Sequence, residues 1–277
     1  MASLVHFVRN FFNYIRFCNR GGYKSLILNT IEYPQLLDGK KVIITGGGKG
    51  IGLSIAKKFL AAGATVLITG RNEETLRKAT AQFGAERFQY LVWDVCDINN
   101  VDEYIVKATE LIGGCDILIN NAASVTFKSY ESVDEGFFNE QINTNLKSAY
   151  FLSQGIIRYY LKNNGNRGGK IINISTLNSF QNSTELYYIT KAALNKFTAG
   201  LAARYAEKNI QVNGIAPGIV AAGINSRDVE KNAYYEGNKI HRMITPEDIA
   251  ETALFLCSGA ANAIVGQTIV VDGGTLL

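Results

Sequence analysis

The chain reads as an α/β protein built on one doubly wound parallel sheet of about seven strands, preceded by a helical extension. Three observations carry that expectation. Short apolar runs rich in Val, Ile and Leu recur along the 277 residues. Helical patterns separate nearly all of them, as they must when strands are parallel and covered on both faces. A glycine cluster follows the first run and opens a helix.

The extension, residues 1–35, comes first. Up to residue 31 it carries Arg9, Arg16, Arg20 and Lys24 and no acid. Removing these four leaves 24 bases against the chain's 24 acids, so the whole formal +4 sits in the extension. A neutral body argues against nucleic-acid binding. Polar residues at His6, Arg9, Asn10, Asn13, Arg16 and Arg20 leave an apolar helical face of Leu4, Phe7, Val8, Phe11, Phe12, Ile15 and Cys18. Charges interrupt every apolar run, so the stretch fits neither a membrane-spanning helix nor the pattern of a signal peptide. Two readings stay open. Residues 3–20 lie on an anionic membrane, each base adding about 1 kcal/mol of attraction, or the helix docks on the body or a second subunit.

The body, residues 36–277, then alternates. "KVIITG" (41–46) is the first expected strand, followed by a helix from Ile51 to Ala62 that Gly63 terminates. Further strands are expected at "TVLITG" (65–70), "FQYLVWD" (88–94), "DILIN" (116–120), "KIINIS" (170–175), "IQVNGI" (210–215) and "QTIVV" (267–271). No linker or repeat divides the segment, so one Rossmann-type domain is expected. Cys18, Cys96, Cys115 and Cys257 have no paired spacing and read as free thiols in a reducing compartment. A cytoplasmic protein follows, with the membrane surface as an alternative through the extension. Two histidines, His6 and His241, make a Ser-His-Asp hydrolase or a histidine metal site a poor fit, and no metal is expected.

"TGGGKGIG" (45–52) stands between an apolar strand and a helix, where glycines let backbone N–H groups approach a pyrophosphate at a helix N-terminus. Gly46, Gly48, Lys49, Gly50, Ile51 and Gly52 are therefore candidate dinucleotide contacts. An NAD site wants a carboxylate at the end of the second strand; here stand Gly70 and Arg71, with Lys49 in the loop. Two cations and no acid suit a 2′-phosphate, so NADP(H) is the expected cofactor.

"YYITK" (187–191) sets two tyrosines before a lysine. Positions three and four residues apart both share a helix face, so spacing alone leaves Tyr187 and Tyr188 open. A free tyrosine titrates near ~10, and an ammonium close by is expected to lower that value.

Together with "NNAA" (120–123), "NTNLKSAYF" (143–151), "IINIST" (171–176), "VNGIAPG" (212–218) and "VDGG" (271–274), these motifs resemble the short-chain dehydrogenase/reductase family. The match is to its compact branch of 3-oxoacyl-carrier-protein reductases and runs over residues 38–277. The resemblance implies an NADPH-dependent oxidoreductase that reduces a ketone or 3-oxoacyl carbonyl to an alcohol by hydride transfer. It makes Tyr187 the general acid and Lys191 its partner, which also holds the nicotinamide ribose. Asn145 corresponds to the asparagine that holds a relay water. The active hydroxyl aligns with Thr176, with Ser175 as alternative; Thr176 lies eleven positions before Tyr187, a shorter spacing than is usual in the family.

The resemblance adds Asp94, Val95, Asn121, Ala122, Pro217, Gly218 and Val220 to the cofactor contacts. Ala123 and Ala222 depart from the family's glycine and threonine, and Ala222 implies a weaker grip on the nicotinamide amide. A lid is expected over 222–244, with Tyr234, Tyr235, His241 and Met243 either lining it or packing within it. A homotetramer or homodimer acting on a small carbonyl or alcohol is implied. A different class of function, an NADP(H)-binding scaffold or sensor without turnover, predicts indifference to Tyr187→Phe.

Overall fold

The computed structural model describes residues 11–16, 18, 35–81, 83, 86–225, 228–229 and 231–277. In the extension, residues 11–16 are helical, with Phe11, Phe12, Tyr14 and Ile15 exposed. The rest of the helix expected over 3–20, apart from Cys18, lies outside the described residues. No helix among those described is long and apolar enough to cross a membrane.

Seven strands form one parallel sheet: β1 (Lys41–Thr45), β2 (Thr65–Gly70), β3 (Phe88–Val92), β4 (Ile117–Asn120), β5 (Gly169–Ile174), β6 (Ile210–Pro217) and β7 (Thr268–Val271). Their order is β3-β2-β1-β4-β5-β6-β7, and all pairs run parallel. Every strand sits where the apolar runs placed it, within a few residues.

Alternation along the strands divides the core in two. Val42, Ile44, Val66, Ile68, Ile117, Ile119 and Ile172 point into one cluster; Ile43, Leu67, Leu118 and Ile171 point into the other. Helices α1 (Gly50–Ala61) and α2 (Glu73–Thr80) line the first face, as does α7 (Pro246–Cys257). On it α1 packs directly against α7, tied by Lys58 to Glu251 at 2.5 Å. The second face takes α3 (Val101–Ile112), α5 (Ser148–Tyr159) and α6 (Leu186–Tyr205). Covering both faces explains why the central strands β1, β2 and β4 are nearly continuous apolar runs.

Two features position the site. Strand order reverses between β1 and β4, which opens a crevice at their carboxyl ends. The helix α4 (Glu135–Ile142), capped by Asp134 accepting from Phe137 N at 2.8 Å, runs into α5 through a π turn at Asn143–Lys147. There Ser148 N donates to Asn143 O, one residue beyond the α pattern. Such single π turns inside helices concentrate at functional sites.

Candidate active site

The crevice floor is set by polar locks between strand ends. Thr45 Oγ1 accepts from the backbone N–H groups of Asn121 and Ala122, both at 3.0 Å. Asn121 Nδ2 donates to Thr45 O at 2.9 Å and Gly46 O at 3.0 Å. The Asn121 side chain therefore braces the glycine turn. Gly46 has φ +64°, and a Cβ on Gly52 would lie 2.5 Å from Gly46 O. Only glycine allows the chain to fold this closely at the start of α1. The first turn of α1 contains no acid and its cap residue, Lys49, makes no side-chain cap. Its N–H groups are thus available to an anion.

Lys49 and Arg71 are exposed, and neither forms an ion pair with a described residue. Asp94 is exposed too, its Oδ1 accepting from Cys96 N at 2.9 Å, with Val95 buried beside it. Across the crevice, Gly218 N donates to Val271 O at 2.9 Å just after Pro217 ends β6. Val220 is buried and bridges to Ile244. Glycine turn and open helix end together fit the pyrophosphate of a dinucleotide.

Tyr187 and Lys191 lie on the first turns of α6. A buried polar ladder holds that helix: Asn120 Nδ2 donates to Asn173 Oδ1 at 2.8 Å, and Asn173 Nδ2 to Thr198 Oγ1 at 2.8 Å. Lys191 is 2% exposed, and its Nζ donates to Ile174 O at 2.8 Å. No described carboxylate pairs with it, and burial pushes its pKa down to about 8.

The phenol behaves differently from the sequence expectation. Burial, with a smaller contribution from Tyr188, pushes Tyr187 up to about 12 rather than down. The reason is geometric. Lys191 Nζ sits 5.8 Å from the centre of the Tyr187 ring and bonds a strand carbonyl, so it does not lower the phenol. Tyr188 packs beside it, ring centres 5.6 Å apart.

The two hydroxyl candidates separate cleanly. Ser175 is buried and engaged: its one hydroxyl hydrogen is shared between Lys191 O at 3.3 Å and Ser179 Oγ at 3.2 Å. Thr176 is half-buried and extended, and its hydroxyl does not cap the following 3-10 turn. Its carbonyl is held by Ser179 Oγ at 2.6 Å, which in turn accepts from Asn195 Nδ2 at 2.7 Å.

Asn145 is buried in the π turn, which packs on α6. Its amide is fully used: Oδ1 accepts from Ser124 N at 2.9 Å, while Nδ2 donates to Ser124 O at 3.0 Å and Gln141 Oε1 at 2.9 Å. That leaves no side-chain donor for the relay water expected of it. Of the expected lid residues, Met243 is buried within the fold. Tyr234 and Tyr235 belong to a small two-stranded bridge with His241 and Arg242. Ala222 stands against the glycine turn, 3.6 Å from where a Cβ on Gly50 would be.

Sequence reasoning missed Phe127, Gln141, Ser179 and Asn195. Only Gln141 left a trace, four residues before Asn145 on one helix face. Phe127 reaches the site from a loop with no periodicity, its ring meeting Tyr187 edge-on at 6.0 Å and 83°.

A family model described as enoyl-(acyl carrier protein) reductase matches residues 46–275. The chain belongs to the short-chain dehydrogenase/reductase family. The 3-oxoacyl-[acyl-carrier-protein] reductase of Chlamydia pneumoniae is 37% identical over 246 residues, 86% of this chain and 97% of the relative. A short-chain dehydrogenase from Burkholderia cenocepacia in complex with NADP superposes with a TM-score of 0.79 at 28% identity, over 87% of this chain and 99% of that one. A 3-ketoacyl-(acyl-carrier-protein) reductase from Brucella melitensis complexed with NADH gives 0.80 at 26% identity, over 87% and 100%. As a short-chain dehydrogenase/reductase the protein is an oxidoreductase that binds a nicotinamide cofactor and acts on a small molecule.

Proposed function

We propose that this short-chain dehydrogenase/reductase uses NADPH to reduce a ketone or 3-oxoacyl carbonyl to an alcohol, with Tyr187 as the proton donor. The observation that carries the reading is the pairing of a buried Lys191, its Nζ on a strand carbonyl, with a phenol one turn away on α6. A phenol held up to about 12 keeps its proton across neutral pH and gives it only to a stronger base. An alkoxide forming at a reduced carbonyl is such a base.

A bound nicotinamide supplies the hydride. The chain's own groups do the rest. Thr176 donates to the carbonyl oxygen and polarises it, since its hydroxyl is free of the network that occupies Ser175. Tyr187 protonates the same oxygen. Lys191, lowered to about 8, exchanges protons near neutral pH and resupplies the phenol. Asn145 contributes through Ser124, whose backbone it brackets. Lys49 and Arg71 hold the 2′-phosphate, and the glycine turn with the α1 N-terminus holds the pyrophosphate. Asp94 and Val95 flank the adenine, while Ala122, Pro217, Gly218 and Val220 line the nicotinamide side. A homo-oligomer is the expected working form.

The test is NADPH oxidation over a panel of ketones, 3-oxoacyl thioesters and keto-sugars, native against Tyr187→Phe. Loss of a positioned acid is expected to lower kcat about 100- to 10,000-fold with the Kd for NADPH unchanged. Binding of NADPH with no turnover on any panel member would favour the scaffold reading.

A further inference from the structure

Gln141 is a long polar side chain with no solvent exposure, in the last turn of α4. A buried carboxamide costs free energy unless its acceptor and both donor hydrogens find partners. Here they do. Oε1 accepts from Asn145 Nδ2 at 2.9 Å; Nε2 donates to Thr126 Oγ1 at 2.7 Å and Ser124 Oγ at 3.4 Å. Ser124 Oγ in turn donates to Glu140 Oε1 at 2.7 Å. With Asn145 bracketing the Ser124 backbone, residues 124–126 are stapled to the end of α4 and the π turn.

The staple sits midway along a loop that joins both halves of the site. At its start, Asn121 and Ala122 lock to Thr45 and the glycine turn. At its end, Phe127 packs on Tyr187 and, with ring centres 5.6 Å apart, on Tyr188. Phe127 is 46% exposed, so its own burial cannot hold it there. The polar staple at residues 124–126, immediately before it, can. A satisfied buried network selects one arrangement where apolar contacts would tolerate several.

We propose that Gln141 is a positioning residue for Tyr187: through Asn145, Ser124 and Thr126 it fixes the loop whose Phe127 ring sets the place and hydration of the phenol. This rests on the reading of Tyr187 as the proton donor. Loosening the loop admits water to a phenol that burial now raises, so the phenol should titrate lower. The ionisable side chains facing it are Lys191 and Tyr188 on its own helix, and residues 121–127 bring none.

The experiment uses Gln141→Leu and, as a variant that leaves the core intact, Thr126→Val at the exposed end of the staple. NADPH affinity, kcat and KM are measured on whichever panel carbonyl the native enzyme reduces. Tyr187 is titrated by ultraviolet difference against the matching Tyr187→Phe protein. Gln141→Leu is expected to lower kcat about tenfold, and Thr126→Val a few-fold, with NADPH Kd within about twofold of native. Both should move the phenol titration toward that of ordinary tyrosine. Adding Phe127→Leu to Gln141→Leu should cost little more, because both act through one ring.

A lower Tm with unchanged kcat and unchanged phenol titration would overturn the proposal, leaving Gln141 structural. So would additive losses with Phe127→Leu. The titration needs no turnover, so a native protein that reduces no carbonyl sinks the reductase reading while the Gln141–Tyr187 link is still judged by its own measurement.

Discussion

Two helices that pack against each other on the same face of the sheet begin in opposite ways. The N-terminus of α7 is closed. Thr245 and Asp248 form a reciprocal capping box, Pro246 takes the first helical position, and Arg242 clamps Asp248 through contacts of 2.8 and 2.9 Å. The N-terminus of α1 is open: glycines approach it, no side chain caps it, and no acid stands in its first turn. Buried N–H groups must find partners somewhere. In α7 they find them inside the protein, and the result is stability. In α1 no side chain caps them, and the proposed reading gives them to the phosphates of the cofactor.

Filling the open end should have the largest effect. Gly52→Val places side-chain atoms where Gly46 O and Asn121 Nδ2 already stand, 2.5 and 2.6 Å from a Cβ. NADPH affinity should fall about a thousandfold, or about 4 kcal/mol, in a fluorescence titration. Retained affinity would mean that α1 is not the phosphate site.

The same contrast holds for cations. Arg242 is raised by its hydrogen bonds to Asp248, whereas Lys191 pairs with no described carboxylate and burial lowers it to about 8. The lysine's folded pKa lies below its unfolded value of 10.5, so between about pH 8 and 10.5 the unfolded chain binds more protons. Stability should therefore rise with pH across that window, by on the order of 3 kcal/mol. Denaturant titrations of native protein minus Lys191→Met isolate this term, since the variant lacks it; a flat difference would show Lys191 already solvated.

Opening the closed end is expected to cost less and to leave binding alone. Burial alone would raise the Asp248 carboxyl, but hydrogen bonds from Arg242 and Thr245 hold it below the usual range. Its contribution is present above the ordinary carboxylate pKa and lost as pH falls through the depressed one. Asp248→Ala should cost about 2 kcal/mol at neutral pH, from the lost cap and a half-buried Arg242 left without its partner. NADPH Kd should be unchanged. A loss of binding would merge two helix ends that the comparison separates.

The smallest effect is at the rim of the open end. Arg71→Asp replaces an exposed cation with the carboxylate that suits a ribose hydroxyl, and preference for NADPH over NADH should shift about tenfold or more toward NADH. An unaltered ratio would remove Arg71 from the cofactor site.

Much of the architecture was legible in the chain. "KVIIT" and "TVLITG" are too apolar for a half-exposed strand, and helical patterns between such runs admit little but a parallel sheet. The open end of α1 was legible as well, because glycines and the lack of an acid are local properties. Motif spacing brought Tyr187 and Lys191 together, and α6 carries both on its first turns.

What the sequence by itself determined was therefore the order of elements, the glycine turn and the placing of a tyrosine pair and a lysine on one helix, since each depends on residues within a few positions. The tertiary structure decided the rest. It occupied Ser175 and left Thr176 free, spent the Asn145 amide on Ser124, brought Phe127 onto Tyr187, and reversed the direction in which the phenol is shifted. Burial and hydrogen-bond partners depend on which distant segments come to lie together, as Asn121 with Thr45 or Gln141 with Thr126 do here, and no local pattern encodes that.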